Sequence, residues 1–189
     1  METFIEATPF TDDHSFGRRR ENALKELTPL LESNGIDKPL LTLIRKCADI
    51  PYCFTLQCCY GHFVHETRKN KYTLDHISLF HEVIGSIEYR IAYLALCMEN
   101  NESGRNLFRD LKSVADIDPQ YVQFGSAEWF WDRCVNSYVL QVEPAKDKNR
   151  DTAWVNYEEA LHIERIRNQF FDKIEKIVDA HSSISSGAG

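Results

Sequence analysis

The amino-acid sequence predicts an α+β protein with a single mixed sheet of four to six strands, packed by helices, and a long C-terminal helix. Amphipathic segments with helical spacing alternate along the chain with aromatic and β-branched segments of strand length. The last apolar stripe keeps helical spacing from Tyr157 to about Ala180. Asn156 and Glu159 resemble a capping box at its start, so this stripe predicts one long amphipathic helix.

Two predicted helices open the chain. Leu24, Leu27 and Leu31 recur at helical spacing before the stop signal at Asn34-Gly35. Asp37 is the predicted N-cap of a second helix. The buried stripe of that helix comprises Leu40, Leu41, Ile44 and Cys47.

Two strands and one more helix follow around the middle of the chain. Aromatic and β-branched residues predict strands over 52–57 and 62–66, joined by a cysteine-containing turn. Apolar residues share one helical face over 73–84, which predicts a helix there. Residues 87–97 then alternate with strand spacing.

The second half repeats the alternation of helix and strand. Ser103 is the predicted N-cap of an amphipathic helix. Aromatic and β-branched residues predict strands over 121–131 and 137–143. Polar alternation is weak in these two segments, so we expect a covered sheet that also contains the strands at 52–57 and 87–97.

The 189 residues suffice for one hydrophobic core, and no linker divides them. Residues 1–18 are polar and irregular and predict a loosely ordered N-terminal arm. Residues 19–180 are then expected to form the single globular domain. The small polar residues of 181–189 predict a disordered tail.

Composition and charge limit the function classes. The formal net charge of −7 opposes binding of bulk nucleic acid, because the only dense basic run is Arg18–Arg20. No apolar run is long enough to span a membrane, and no secretory signal is visible. Six irregularly spaced cysteines, two of them adjacent, favour reduced thiols and a cytoplasmic location.

Residues 51–66, PYCFTLQCCYGHFVHE, form the first candidate site, since they bring thiols and imidazoles together beside Gly61. Cys59 and His62 are the most informative pair there, because either can react or bind a ligand. The competing interpretation is a hairpin corner, in which glycine serves the turn and cysteine is a small buried hydrophobe.

A metal site formed by Cys59, His62 and His65 is an alternative, because thiolate and imidazole both bind zinc. Neighbouring strand residues alternate between faces, however, so a regular strand directs His62 and His65 to opposite sides. No CxxC pair accompanies them.

The aromatic run near residue 130 supplies two further candidates. Glu128 would serve as an acid or base if its strand face were buried, and is an ordinary solvated carboxylate otherwise. Trp129 could stack on a base or an adenine ring, or belong to the core.

Residues 35–63 and 121–143 resemble the tRNA wybutosine-synthesising methyltransferase family. Its members contain a glycine and an aspartate before a helix, followed by Thr-Thr-Ser-Ser-Cys-x-Gly-Arg. In that register Thr55 matches the first threonine, Cys59 the cysteine and Gly61 the glycine, whereas His62 replaces the arginine. The family acts on a tRNA base with S-adenosylmethionine, so the resemblance implies this cofactor and a methyltransferase-like activity.

The sequence therefore favours a protein that binds a small molecule or nucleotide derivative at Thr55, Cys59, Gly61 and His62. Leu56, Gln57 and Cys58 replace the small hydroxyl residues of the family's motif, so its fold transfers more readily than its activity. A metal-binding protein and a non-catalytic interaction domain are the alternatives. Substrate, reaction and oligomeric state stay open.

We predict weak or no binding to bulk tRNA at physiological salt, because the net charge of −7 repels the phosphate backbone. A gel-shift titration measures this. Tight and specific retardation would restore an RNA-modifying function, and Arg18–Arg20 would then be the first residues to replace.

Overall fold

The computed structural model describes residues 4–33, 35–65, 73–80, 85–127, 134–148 and 150–186. These ranges contain four α-helices: α1 (Phe16–Glu32), α2 (Leu41–Asp49), α3 (Glu102–Lys112) and α4 (Tyr157–Ser186). They also contain eight strands: β1 (Phe4–Ile5), β2 (Cys53–Cys59), β3 (His62–Val64), β4 (Ile87–Arg90), β5 (Ala92–Met98), β6 (Val122–Ala127), β7 (Ser137–Val142) and β8 (Thr152–Val155).

The predicted α+β class and the long C-terminal helix are confirmed. The strands divide between two antiparallel sheets, however, and do not form a single mixed one. The larger sheet has the order β1-β6-β7-β5-β2, and the smaller sheet has the order β3-β4-β8. The expectation that β2, β5, β6 and β7 share one sheet is correct.

The chain changes sheets at two places. The predicted strand 87–97 is interrupted at Ile91, so that β4 belongs to the smaller sheet and β5 to the larger one. The predicted hairpin around the cysteine turn is also wrong, because β2 pairs with β5 whereas β3 pairs with β4. Alternation within a strand does not reveal which neighbour it pairs with, so the sequence pattern missed both crossings.

Helix α4 packs between α2 and α3 and supplies much of the main core. Its residues Ile163, Phe170 and Ile174 are completely buried. Helix α1 lies on the other side of the larger sheet, where Phe16 contacts Phe54 with ring centroids 5.5 Å apart. All six residues of β7 are buried, as expected for a covered sheet.

Both ends of the described chain contact distant parts of the fold. Phe10 of the predicted loose arm packs with its ring centroid 5.3 Å from those of Phe108 and Tyr138. The terminal helix continues past Ala180 to Ser186, into the segment predicted to be disordered. His181 is buried there, with Nδ1 2.8 Å from the Tyr52 hydroxyl. Local sequence patterns do not indicate such contacts, because the partners are far apart in the chain.

Other boundaries also differ from the sequence-based elements. Helix α3 is capped by Asn101, whose Oδ1 accepts the Gly104 N–H at 2.8 Å, and not by Ser103. A short 3₁₀ helix, Ile77–Phe80, stands within the predicted helix 73–84, and residues 81–84 lie outside the described residues. Strands β1 and β8 were not predicted. No described helix combines the length and apolar composition that crossing a membrane would require.

Arg20 shows that the basic run contributes to the fold. Its guanidinium donates to the Ala48 and Ile50 carbonyls at the end of α2, at 2.7 and 3.1 Å, and to the Cys53 carbonyl at 3.1 Å. Helix ends leave carbonyl groups without partners, and a cation satisfies them well. Arg18, two residues earlier, is exposed.

We therefore expect Arg20→Gln to lower the free energy of unfolding by about 1.5–3 kcal/mol, the usual contribution of hydrogen bonds to charged groups. Arg18→Gln is the matched control and should change it by less than about 0.5 kcal/mol. Urea unfolding of both variants measures the difference. Equal effects would show that the carbonyl contacts of Arg20 do not stabilise the protein.

Candidate functional site

An open groove lies where the two sheets separate, with a volume of about 1060 Å³. Its walls come from β2, β3, β4, β5 and β7, together with Arg150, Asp151 and the first residue of β8. Cys59 and His62 both line it. The change of sheet after β2 thus places the two predicted side chains at a concave surface and not at a hairpin corner.

Asp37 joins these two residues from a distant part of the sequence. One ligating atom from each of Asp37, Cys59 and His62 lies within 4.8 Å of the other two, and no other such group of three occurs in the described residues. His62 Nε2 is 3.3 Å from Asp37 Oδ2. Asp37 is the third member of this group, and His65, the third residue of the alternative metal site, is not part of it. The alternation of strand faces, which separates His62 from His65, is the physical reason.

Backbone geometry brings the three residues together. Cys59 ends β2, Gly61 turns the chain with a φ of +87°, and His62 begins β3. Asp37 precedes the 3₁₀ turn Lys38–Leu40 that leads into α2. Its Oδ2 accepts the Tyr60 N–H at 2.7 Å, and thereby ties the start of α2 to the turn.

Sequence reasoning missed the role of Asp37. An aspartate before a helix is the usual sign of an N-cap, but this side chain makes no capping hydrogen bond. The sequence carries one weak signal: the resembled family also places an aspartate before this helix. Only the fold shows that its carboxylate faces Cys59 and His62.

The imidazole of His62 is held from both sides. Nδ1 lies 3.1 Å from the Thr73 carbonyl oxygen, so it carries the hydrogen of that bond. Burial of the ring opposes its charged form, but hydrogen bonds with Asp37 and Cys59 and the Thr73 carbonyl favour that form more strongly. Together they raise the pKa of His62 to about 10.

Burial also opposes the charged form of Asp37. Hydrogen bonds from His62 and from the Tyr60 N–H outweigh it, and the pKa of this carboxyl is lowered from its usual value. These shifts favour an imidazolium–carboxylate pair between His62 and Asp37.

Arg167 of α4 is buried against the turn at Tyr60 and Gly61, with only 4% of its surface exposed. Its Nη1 donates to the Gly61 carbonyl at 3.2 Å, and its guanidinium carbon lies 4.4 Å from the centroid of the Tyr60 ring. Glu164, one helical turn earlier, balances the charge with an oxygen 3.5 Å away. The sequence gave no reason to select this arginine, because it lies near the apolar stripe of a helix that looked purely structural.

The other predicted site residues either do not line the groove or lie outside the described residues. Thr55 lies in β2 with a buried hydroxyl, at an irregularity in the pairing with β5, and does not line the groove. Gly61 forms the turn behind the groove wall. Glu128 and Trp129 lie outside the described residues.

No protein-family model and no curated protein matches this chain. Among solved structures, the PH1069 protein from Pyrococcus horikoshii OT3 is 16% identical, with a TM-score of 0.50 over 95% of this chain and 98% of that one. A second structure of PH1069 from Pyrococcus horikoshii gives 16% identity and a TM-score of 0.47, over 90% and 93%. A hypothetical protein from Aeropyrum pernix gives 11% and 0.34, over 79% and 96%. The first similarity shows a shared fold.

Gly61→Ala tests the turn. A Cβ at this position would lie 2.9 Å from the Ala92 Cβ and 3.2 Å from Cε2 of Tyr89, and the φ of +87° is unfavourable for any L side chain. We expect the substitution to reduce the free energy of unfolding by about 1–3 kcal/mol or more.

Gly17→Ala is the matched control, because Gly17 lies in α1 and nothing is within 4 Å of an added Cβ. This change should stabilise the protein by about 0.5–1 kcal/mol, since alanine favours a helix. Chemical denaturation of both variants measures the two values. Similar effects of the same sign would contradict the strained geometry assigned to Gly61.

Proposed function

We propose that this protein binds a small molecule or nucleotide derivative in the groove between its two sheets. The observation that carries the proposal is the groove itself, whose volume of about 1060 Å³ reaches the upper end of the range of small-molecule sites, roughly 300–1,000 Å³. The groove lies beside the Cys59–His62 turn, whose sequence resembles that of a family that uses S-adenosylmethionine. The net charge of −7 favours such a ligand over bulk nucleic acid.

The lining of the groove combines two kinds of surface. Ile91, Val139 and the ring of Tyr93 offer apolar contact area, which suits a planar ring. Gln57 and Gln141 add amide groups at the larger sheet. Most of the lining residues are polar or charged, with a smaller apolar group among them, which suits a polar organic ligand that carries a ring.

Two arginines favour an anionic group on the ligand. Arg90 and Arg150 both line the groove, with Asp151 as the acidic residue beside them. Arg150 is 65% exposed at its side chain, and its recorded ion pair with Asp147 is long, at 3.6 Å. A guanidinium of this kind is available to a carboxylate or a phosphate, which it binds in a forked geometry.

The chemistry of the groove suits S-adenosylmethionine, the cofactor that the resemblance implies. That molecule carries an adenine ring for the apolar wall and a carboxylate for an arginine. His62 is one of the predicted ligand-binding residues, but both of its ring nitrogens already face Asp37 and Thr73. We therefore assign the anion contact to the arginines. A methyltransferase-like reaction is the enzymatic form of the proposal.

Isothermal titration of the purified protein with S-adenosylmethionine tests the proposal directly. We expect saturable binding, weakened about twofold to fivefold by Arg150→Gln, since an exposed ion pair contributes at most about 1 kcal/mol. Arg109→Gln, an exposed residue of α3 that does not line the groove, is the matched control and should bind like the wild type.

If the titration releases no heat and S-adenosylmethionine does not raise the melting temperature of the protein, this compound is rejected as the ligand. Equal losses in both arginine variants would reject the groove as its location.

A further inference from the structure

Asp37, Cys59 and His62 present one oxygen, one sulfur and one nitrogen toward a common point. The separation between His62 Nε2 and Asp37 Oδ2 is 3.3 Å. Two ligands that bind a tetrahedral ion at about 2.0–2.1 Å are also about 3.3 Å apart, so these two atoms can receive an ion with little movement.

Each of the three side chains also makes a hydrogen bond with a surrounding backbone group, as metal ligands do in metalloproteins. The Thr73 carbonyl oxygen accepts from Nδ1 of His62 at 3.1 Å and so leaves Nε2 directed at the cluster. The Tyr60 N–H donates to Asp37 Oδ2 at 2.7 Å, and the Gly61 N–H donates to Cys59 Sγ at 3.4 Å. Outer contacts of this kind orient ligands and fix the histidine tautomer in metalloproteins.

We propose that Asp37, Cys59 and His62 bind a zinc ion. A thiolate and an imidazole favour zinc over magnesium or calcium, which prefer oxygen ligands throughout. Zinc ligands must be deprotonated, so zinc binding should release protons.

Three protein ligands leave one position of a tetrahedral zinc ion unfilled. Two of the three, Cys59 and His62, line the groove, so water or an occupant of the groove can reach that position. A zinc ion placed there would act as a Lewis acid toward an oxygen or sulfur atom of the occupant. The inference shares the groove with the proposed function but rests on the three ligating atoms alone.

The test begins with protein freed of metal by a chelator and titrated with Zn²⁺ in competition with a chromophoric chelator. We expect one zinc ion per chain. Cys59→Ala should weaken zinc binding by about 100-fold or more, because even loss of an outer contact costs about 10–100-fold.

Cys58→Ala is the matched control. The adjacent side chain packs against the hydrophobic core and is not one of the three ligands. We expect the affinity of this variant for zinc to match that of the wild type. Asp37→Asn gives a second variant, since its amide oxygen can still accept the Tyr60 N–H while the charge is lost. It should also weaken binding, and circular dichroism verifies that each variant is folded.

Cobalt substitution supplies an independent readout. Co²⁺ in this site should show a thiolate-to-metal charge-transfer band and the intense visible bands of four-coordinate cobalt. The charge-transfer band should disappear in Cys59→Ala and persist in Cys58→Ala. Failure to bind one zinc ion, a spectrum without the thiolate band, or equal losses in the two cysteine variants would overturn the proposal.

Titration of the metal-free protein with S-adenosylmethionine separates the two proposals. Zinc binding without ligand binding rejects only the proposed function. Ligand binding without zinc binding rejects only the metal site.

Discussion

The positive φ of Gly61 is the constraint on which the rest of this structure depends. It lets the chain leave the larger sheet after Cys59 and enter the smaller sheet at His62, within two residues. The contacts that an added Cβ would make with Ala92 and Tyr89 show how closely the two sheets approach there. Beyond this close contact the two sheets leave a groove between them, and the side chains of Cys59 and His62, before and after the turn, face that groove.

Two charged side chains hold the turn in place. Buried Arg167 reaches from α4 to the Gly61 carbonyl, and half-buried Asp37 reaches from the start of α2 to the Tyr60 N–H. A charge withdrawn from water is costly unless it is paired, and each of these has a partner of opposite charge, Glu164 for Arg167 and His62 for Asp37. Such pairs add little net stability compared with apolar packing, but they fix the geometry of groups that would otherwise be free to move. The site is therefore positioned by the two helices that pack against each other beneath it.

Local sequence patterns predicted much of the fold but less of the candidate site. Apolar periodicity identified α1, α2, α3 and α4, and four of the five strands of the larger sheet. It did not identify β1 or β8, and it merged β4 with β5, because pairing partners are set by the fold and not by alternation within a strand. In the site, Cys59 and His62 were selected correctly as neighbours because they are close in sequence. Asp37 is 22 residues from Cys59 in the sequence, and its helix-start position had a simpler explanation.

The sequence by itself determined the α+β class, the long terminal helix and the position of the cysteine turn, because these depend on side-chain spacing and on the backbone freedom of glycine. Only the tertiary structure decided that β2 and β3 belong to different sheets, that Asp37 and not His65 joins Cys59 and His62, and that Arg167 lies under the turn. Each of these results from contacts between segments far apart in the chain. Their free energy depends on how helices and sheets pack together, which no local pattern records.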